Sequence, residues 1–397
     1  MNESPVFIVG IQRSGTTLLA AILAAHSRMS CGPETHFFRQ LAKIDPELLV
    51  KPDTWPQAAV DFIGSITHNS FSDRETVTLL EKYRIDKNQV NGYLSARRPS
   101  ISAVLGSVTE QHMTLLGKRR WVEKTPDHIK YLDLIRKYFP DSLIIRIVRD
   151  PRDVALSLLK VPWGARTHLE AYIYWKNLDD ASQEFFAKDK DTYTLRFEDL
   201  VTSPEQSIQE LCDRLGVAFE LGMLDTSQTG KMINRRNVPW KDSVSQPIDS
   251  KRVSVWRTEL TEEQNKLAEA ILGDRMETYG YPRECKLDQL GEIYPAPLLT
   301  SKCTGLEEVV KSGGVRFWRT HPGEKAKVMV YLGDPGSKEW NDKMSRWAFI
   351  FRIMIGVMKS KFSKGSMFWL ADPDARRWSG YSAFLIKSML SPYLLKV

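Results

Sequence analysis

The sequence predicts an α/β protein: a P-loop-like, mostly parallel sheet flanked by helices. Three observations carry this expectation. Short β-branched runs alternate with helical stretches from residue 5 to about residue 280. The first run, "PVFIVG" (5–10), is apolar throughout, as a strand covered on both faces must be. It ends on a glycine-containing turn, "GIQRSGTT" (10–17), that leads directly into a helix.

The elements follow in order. "TTLLAAILAAH" (16–26) is rich in Ala and Leu and reads as a helix, with Thr16 or Thr17 available to cap its first turn. From 41 to 116 the pattern is mostly helical, broken at "KPDTWP" and "ARRPS", which makes this stretch a helical insertion able to cover a site. "RWVEKT" (120–125) reads as a strand end and "DHIKYLDLIRKYF" (127–139) as a helix. "SLIIRIVR" (142–149) is the clearest central strand. "DPRDVALSLLK" (150–160) follows as a helix with Pro151 at its first turn. A long helix over about 166–187 leads to a strand, "TYTLRFEDL" (192–200). "SPEQSIQELCDRLG" (203–216) is a helix with Ser203 as its cap, Pro204 at its first position and Gly216 at its end. "TEEQNKLAEAILGDRMETYG" (261–280) closes the α/β region. Past about 290, "YPAP", "SGG", "THPGE" and "GDPGS" mark loops. The chain therefore divides into a main domain, 1–290, and an extension, 291–397. In parallel sheets ligands bind beyond the carboxyl ends of the strands, so the loops after 5–10, 120–125 and 142–149 should converge on one site.

With 42% hydrophobic and 26% charged residues, the chain is globular and not disordered. Cys31, Cys212, Cys285 and Cys303 form no CxxC pair, which predicts reduced thiols and a cytoplasmic setting. The start, "MNESPVFIVG", has no basic n-region or long apolar h-region, so no signal peptide is expected. No run of 18 apolar residues exists, so no simple membrane span is expected; the nearest candidate, "WAFIFRIMIGVM" (347–358), is short and interrupted by Arg352. It reads as a buried helix, with a membrane-surface helix as the alternative. The net charge is +7, and residues 301–397 hold 17 basic against 8 acidic side chains. That basic tail would attract an acidic or carbohydrate-bearing macromolecule or the surface of a membrane, and nucleic acid is not the expected partner.

The turn at 10–17 carries the first chemical reading. Gly10 and Gly15 let the backbone curl, so the N–H groups of Ser14, Gly15, Thr16 and Thr17 point inward at a helix N-terminus. Such a nest binds an anion. A nucleotide triphosphatase would need lysine where Thr16 stands, together with a magnesium ion. Here the loop holds Arg13 instead, and a nucleotide with a shorter charged end and no metal suits it better.

"VGIQRSGTTLL" resembles the 5′-phosphosulfate loop of sulfotransferases, which use 3′-phosphoadenosine 5′-phosphosulfate (PAPS). That family's second motif runs from a later strand into a helix and binds the 3′-phosphate through an arginine and a serine eight residues on; "RIVRDPRDVALSLLK" offers Arg149 and Ser157 at that spacing. The likeness covers about residues 5–280 and implies the sulfotransferase fold with PAPS as co-substrate. The arginine form of the loop is most similar to the tyrosylprotein and carbohydrate branch. "GPET" places Glu34 where that branch has the general base of a "GEET"-like motif, and "VEKTPDHI" places Lys124 in the site. Pro33 stands where the branch has a glutamate, and Phe197 where it often has tyrosine. Ser245 and Arg252, in "DSVSQPIDSKRVSVW", fall where the family's C-terminal cofactor contacts lie.

The resemblance implies transfer of a sulfuryl group to an acceptor hydroxyl of a carbohydrate, a glycolipid or a protein tyrosine. Arg13, Lys124 and the N–H groups around Ser14–Thr17 would hold the charge that develops. Glu34 would take the acceptor proton, and His36, two residues on, is a rival base. Two other classes stay open: a P-loop phosphotransferase or nucleotide kinase, and a non-catalytic module that binds an anion or glycan.

Overall fold

A computed structural model describes residues 3–69, 76–165, 167–233 and 244–285, and the backbone of three strands between residues 315 and 371. The chain divides into two compact units, Met1–Arg149 with Ala181–Val253, and Asp150–Asp180 with Ser254–Val397.

The first unit is built on five parallel strands. They are β1 (Val6–Gly10), β2 (Met29–Cys31), β5 (Arg120–Lys124), β6 (Leu143–Val148) and β7 (Thr192–Arg196), in the spatial order β2-β5-β1-β6-β7. From β1 the chain travels to one edge of the sheet, and from β6 it travels to the other. The carboxyl ends of β1 and β6 are neighbours whose connections diverge, which is where a parallel sheet opens a crevice. The loops carrying Arg13 and Arg149 begin there.

Alternation along the strands sorts the two faces. Val6, Ile8, Val122 and Ile145 join Leu19, Ile22 and Leu23 of α1 (Thr16–Ala25) in one core. Phe7 and Trp121 point the other way and meet Phe139 edge-on, with ring centroids 5.1 Å and 5.7 Å from it. Both faces are covered, which is why β1 reads as an unbroken apolar run.

Between α1 and β5 lie α2 (Phe37–Leu41), α3 (Gln57–Ser65), the antiparallel hairpin β3 (Thr67–Asn69) with β4 (Thr76–Thr78), α4 (Leu79–Tyr83), α5 (Lys87–Ser95) and α6 (Ile101–Leu115). The stretch 41–116 is thus mostly helical, as its pattern predicts, but it also contains that hairpin. Three more details differ from the sequence reading. Residues 126–130 form a 3-10 turn, and only then does α7 (Leu132–Tyr138) begin, because Tyr131 adopts φ −129° between them. The expected strand 192–200 ends at Arg196; "FEDLVT" is a helix, α10 (Phe197–Thr202), with Glu198 and Asp199 favourably placed in its first turn. In α11 (Pro204–Leu215) Ser203 holds the cap position, yet its side chain makes no capping bond. β2, at the sheet edge, had no separate signal in the sequence. The unit ends with α12 (Ser227–Ile233) and the segment from 244 to Val253.

The second unit contains α8 (Pro151–Leu159), α13 (Trp256–Glu259) and α14 (Glu262–Thr278), and α9 (His168–Lys188) carries the chain back to the first. Its centre is Arg152, fully buried. Asp150 takes two of its N–H groups at 2.7 and 3.0 Å, and its guanidinium lies 3.4 Å from the Trp256 ring centroid. Asp153 accepts the backbone N–H groups of Ser254 and Trp256, both at 2.9 Å. These bonds are what make buried charge tolerable here. Trp256 therefore packs against Arg152. Farther along, β8 (Val315–Trp318), β9 (Lys327–Leu332) and β10 (Met367–Ala371) form a three-stranded sheet in the order β10-β9-β8. The rest of the extension 291–397, including 347–358 and most of the basic tail, lies outside the described residues. Among the described residues no helix is long and apolar enough to cross a membrane.

Candidate active site

The turn after β1 is held by its glycines and by one strained arginine. Gly15 is the cap of α1 with φ +98°, and a Cβ there would lie 2.4 Å from Cδ2 of Phe197. Arg13 itself has φ +74°, a left-handed conformation uncommon for any residue with a Cβ and held here by its surroundings. Neither Thr16 nor Thr17 caps the helix; the cap position belongs to Gly15 and makes no side-chain bond. Neither hydroxyl is therefore used as a cap. Ser14 is buried, and its Oγ meets no hydrogen-bond partner among the described residues.

Arg149, at the end of β6, is 6% exposed. Its guanidinium donates to the Arg13 carbonyl at 3.2 Å and to the Arg252 carbonyl at 2.6 Å, and it lies 4.6 Å from the centroid of the Phe197 ring. One side chain thus ties the loop after β1 to the segment before Val253. The three arginines share a cavity of about 290 Å³, lined also by Gly15, Thr16 and Thr17 and by the stretch from Gln246 to Asp249. Crowding cations this way is unfavourable unless an anion joins them. Burial, and then repulsion from Arg149 and Arg252, push the Arg13 guanidinium down to about 10, so it is still protonated at neutral pH.

Beside this cavity, β5 delivers Lys124, which is 1% exposed. Its Nζ lies 3.4 Å from Thr17 Oγ1 and 2.5 Å from Glu34 Oε1. A single ammonium thus links the anion-binding turn to the carboxylate. His36 Nε2 faces Glu34 Oε2 at 3.5 Å, and the His36 ring stacks near His68 of the hairpin at 4.9 Å between centroids. Burial lowers His36 to about 4 and His68 to about 3. Both imidazoles are therefore neutral at physiological pH.

Of the residues singled out by sequence, Arg13, Ser14, Gly15, Thr16, Thr17, Glu34, Lys124, Arg149 and Arg252 gather in the first unit around this cavity and its neighbour. Ser245 is half-buried between Val244 and Gln246, which line the cavity, but it does not line it. Ser157 is half-buried on α8 in the second unit. Phe197, Glu123 and His68 were not read as site residues from the sequence. Only the substitution of phenylalanine for a family tyrosine drew notice to Phe197. Among the described residues no group of three His, Cys, Asp or Glu could hold a metal ion.

Comparison with known proteins bears on the same region. A model described as the sulfotransferase family matches residues 5–220, more than half of the chain. The chain is similar to the nodulation protein NoeE of Sinorhizobium fredii, at 25% identity over 69% of this chain and 65% of that protein. It therefore spans under two thirds of that relative's length. It is also similar to a putative protein-tyrosine sulfotransferase of Caenorhabditis briggsae, at 25% identity over 64% of this chain and 81% of that one. Among solved structures it matches the sulfotransferase domain from the curacin biosynthetic pathway at 20% identity, covering 71% of this chain and 99% of the other. The TM-score of that match is 0.47, too low to weigh in the argument.

Proposed function

Since the chain belongs to the sulfotransferase family, we propose that it transfers a sulfuryl group from PAPS to an acceptor hydroxyl, with Glu34 as the base. The observation that carries the proposal is the position of Lys124 Nζ, between Thr17 Oγ1 at 3.4 Å and Glu34 Oε1 at 2.5 Å. Donor loop and proton acceptor are thereby held on either side of one cation.

The residues fit such a donor. Ser14 Oγ is a buried donor still to be matched, three arginines converge on one cavity, and Gly15 leaves no room for a side chain that would obstruct it. When bound, PAPS supplies an activated sulfuryl group and a bisphosphorylated leaving group. Ser14, Gly15, Thr16 and Thr17 would hold the 5′ end through backbone N–H groups and hydroxyls at the N-terminus of α1. Arg149 would hold the 3′-phosphate, with Arg252 and Ser245 of the same unit as further candidates. Arg13 and Lys124 stabilise the negative charge that grows on the leaving oxygens, the largest contribution such sites make. Glu34 removes the acceptor proton. His36, whose Nε2 lies 3.5 Å from Glu34 Oε2, serves as a neighbour that orients the Glu34 carboxylate.

The acceptor is a hydroxyl of a carbohydrate, a glycolipid or a tyrosine, the last being the group acted on by the relatives named protein-tyrosine sulfotransferases. The test is transfer of labelled sulfate from PAPS to three probes: an oligosaccharide pool, a lipid extract and an acidic tyrosine peptide. Glu34→Ala should lower labelling about 10²- to 10⁴-fold, and Arg149→Ala should lower it by weakening the hold on the donor. Adenosine 3′,5′-bisphosphate should stabilise the wild type against heat and fail to stabilise Arg149→Ala. Magnesium-dependent ATP hydrolysis without any sulfate transfer would overturn the proposal.

A further inference from the structure

β5 presents two charged side chains in succession, Glu123 and Lys124, and successive side chains leave a strand on opposite faces. Lys124 leaves on the α1 side and reaches the carboxylate of Glu34. Glu123 leaves on the side of Phe7 and Trp121 and is 1% exposed. An apolar side chain would pack that face without the desolvation a carboxylate suffers.

The bonds made by one oxygen of Glu123 lead to the segment that displays Glu34. Its Oε1 accepts from Thr35 Oγ1 at 2.7 Å, from Thr125 Oγ1 at 2.6 Å and from the Thr35 N–H at 3.3 Å. Thr125 Oγ1 in turn accepts from the N–H groups of Thr35 at 3.1 Å and His36 at 3.4 Å. His128 Nδ1 meets the other oxygen, Oε2, at 2.9 Å. On the other side of Glu34, Tyr83 donates to the Pro33 carbonyl at 2.8 Å. Burial alone would raise the Glu123 carboxyl; His128, then Thr125 and Thr35, outweigh it and hold it below its ordinary value.

We propose that Glu123 is a positioning residue for the transfer reaction: through Thr35 and Thr125 it fixes the backbone from which Glu34 reaches the acceptor. The inference rests on Glu34 being the base. One strand thereby holds the base twice, by its main chain through Glu123 and by its carboxylate through Lys124. A rigid backbone here matters because a displacement of about 1 Å at a reacting group costs on the order of 100-fold in rate.

The test uses Thr35→Val, which removes the hydroxyl and keeps the branched shape, and Glu123→Ala. Each is made in the full-length protein, alone and together with Glu34→Ala, and assayed with labelled PAPS and the three acceptor probes. Alone, each should lower kcat about 10- to 100-fold, with KM for PAPS unchanged. Added to Glu34→Ala, each should change the residual rate less than about twofold, because residues acting as one unit are not additive. Hydrogen exchange at the Thr35 and His36 amides should accelerate in both variants. Equal losses with and without Glu34 would overturn the proposal, as would unchanged amide exchange. Thr35→Val keeps the test decisive if Glu123→Ala does not fold. A wild type that neither transfers label nor binds adenosine 3′,5′-bisphosphate would instead defeat the sulfotransfer reading, while the amide exchange still judges the clamp.

Discussion

Gly15→Ala is the change whose cost can be worked most directly from the geometry. The new methyl group meets Phe197 Cδ2 at 2.4 Å and Cε2 at 3.0 Å, where ordinary contact begins at 3.4 Å. The ring cannot withdraw, because Phe197 is 6% exposed and packed in the core around α1. Separating the two by about 1 Å strains neighbours at a cost of about 1–3 kcal/mol. The backbone angle of +98° adds about 1–2 kcal/mol for any residue with a Cβ. The sum, about 2–5 kcal/mol, is a large part of the stability of an ordinary domain. Urea unfolding reads it, and binding of adenosine 3′,5′-bisphosphate reads the accompanying shift of the loop. Phe197→Ala separates the two costs. In a double-mutant cycle it should recover the clash of about 1–3 kcal/mol and leave the backbone strain in place. If Gly15→Ala shifts stability by less than about 0.5 kcal/mol, or if the cycle shows no coupling, the close-approach reasoning is wrong.

Three further outcomes are expected. Lys124→Met should lower transfer about 10²- to 10³-fold with little loss of stability, since Glu34 stays in contact with water; a rate within a few fold of wild type would refute its role at the reacting centre. Arg149→Lys should weaken binding of adenosine 3′,5′-bisphosphate at least about tenfold, because an ammonium cannot bridge the Arg13 and Arg252 carbonyls as a planar guanidinium does; calorimetric titration decides, and unchanged affinity would refute it. The third concerns pH. Burial holds His36 near 4 and His68 near 3 against an ordinary 6.5. The unfolded chain therefore binds more protons below 6.5, so stability should be lost as pH falls from about 6.5 toward 4. Urea midpoints at pH 7 and pH 4.5 measure this; His36→Gln should reduce the difference, and a variant with the wild-type slope would count against it.

The donor side of the site was legible because its signals are local. A strand, a glycine turn and a helix follow one another within residues 5–26, and Arg149 ends an apolar run where a charge needs a partner. The pattern also located the helical insertion and α14. The hairpin β3–β4 and the edge strand β2 escaped, since three-residue strands carry too little alternation to register. The strand read into 197–200 failed because Phe197 is fixed by packing against Gly15 and not by strand pairing. Glu123 escaped for a different reason. A carboxylate one residue before a site lysine looks solvated in sequence, and only the registers of β1 and β5 show that it turns inward toward Thr35.

The three guanidinium-bearing residues around one cavity couple binding of an anion to the stability of the fold. Their mutual repulsion is relieved by any doubly charged occupant, whether the fresh carrier or the spent one. If PAPS is the donor, as proposed, both the carrier and its desulfated product should protect the chain from proteolysis. On that same proposal, the attraction would slow departure of the spent carrier, and turnover should quicken as ionic strength rises.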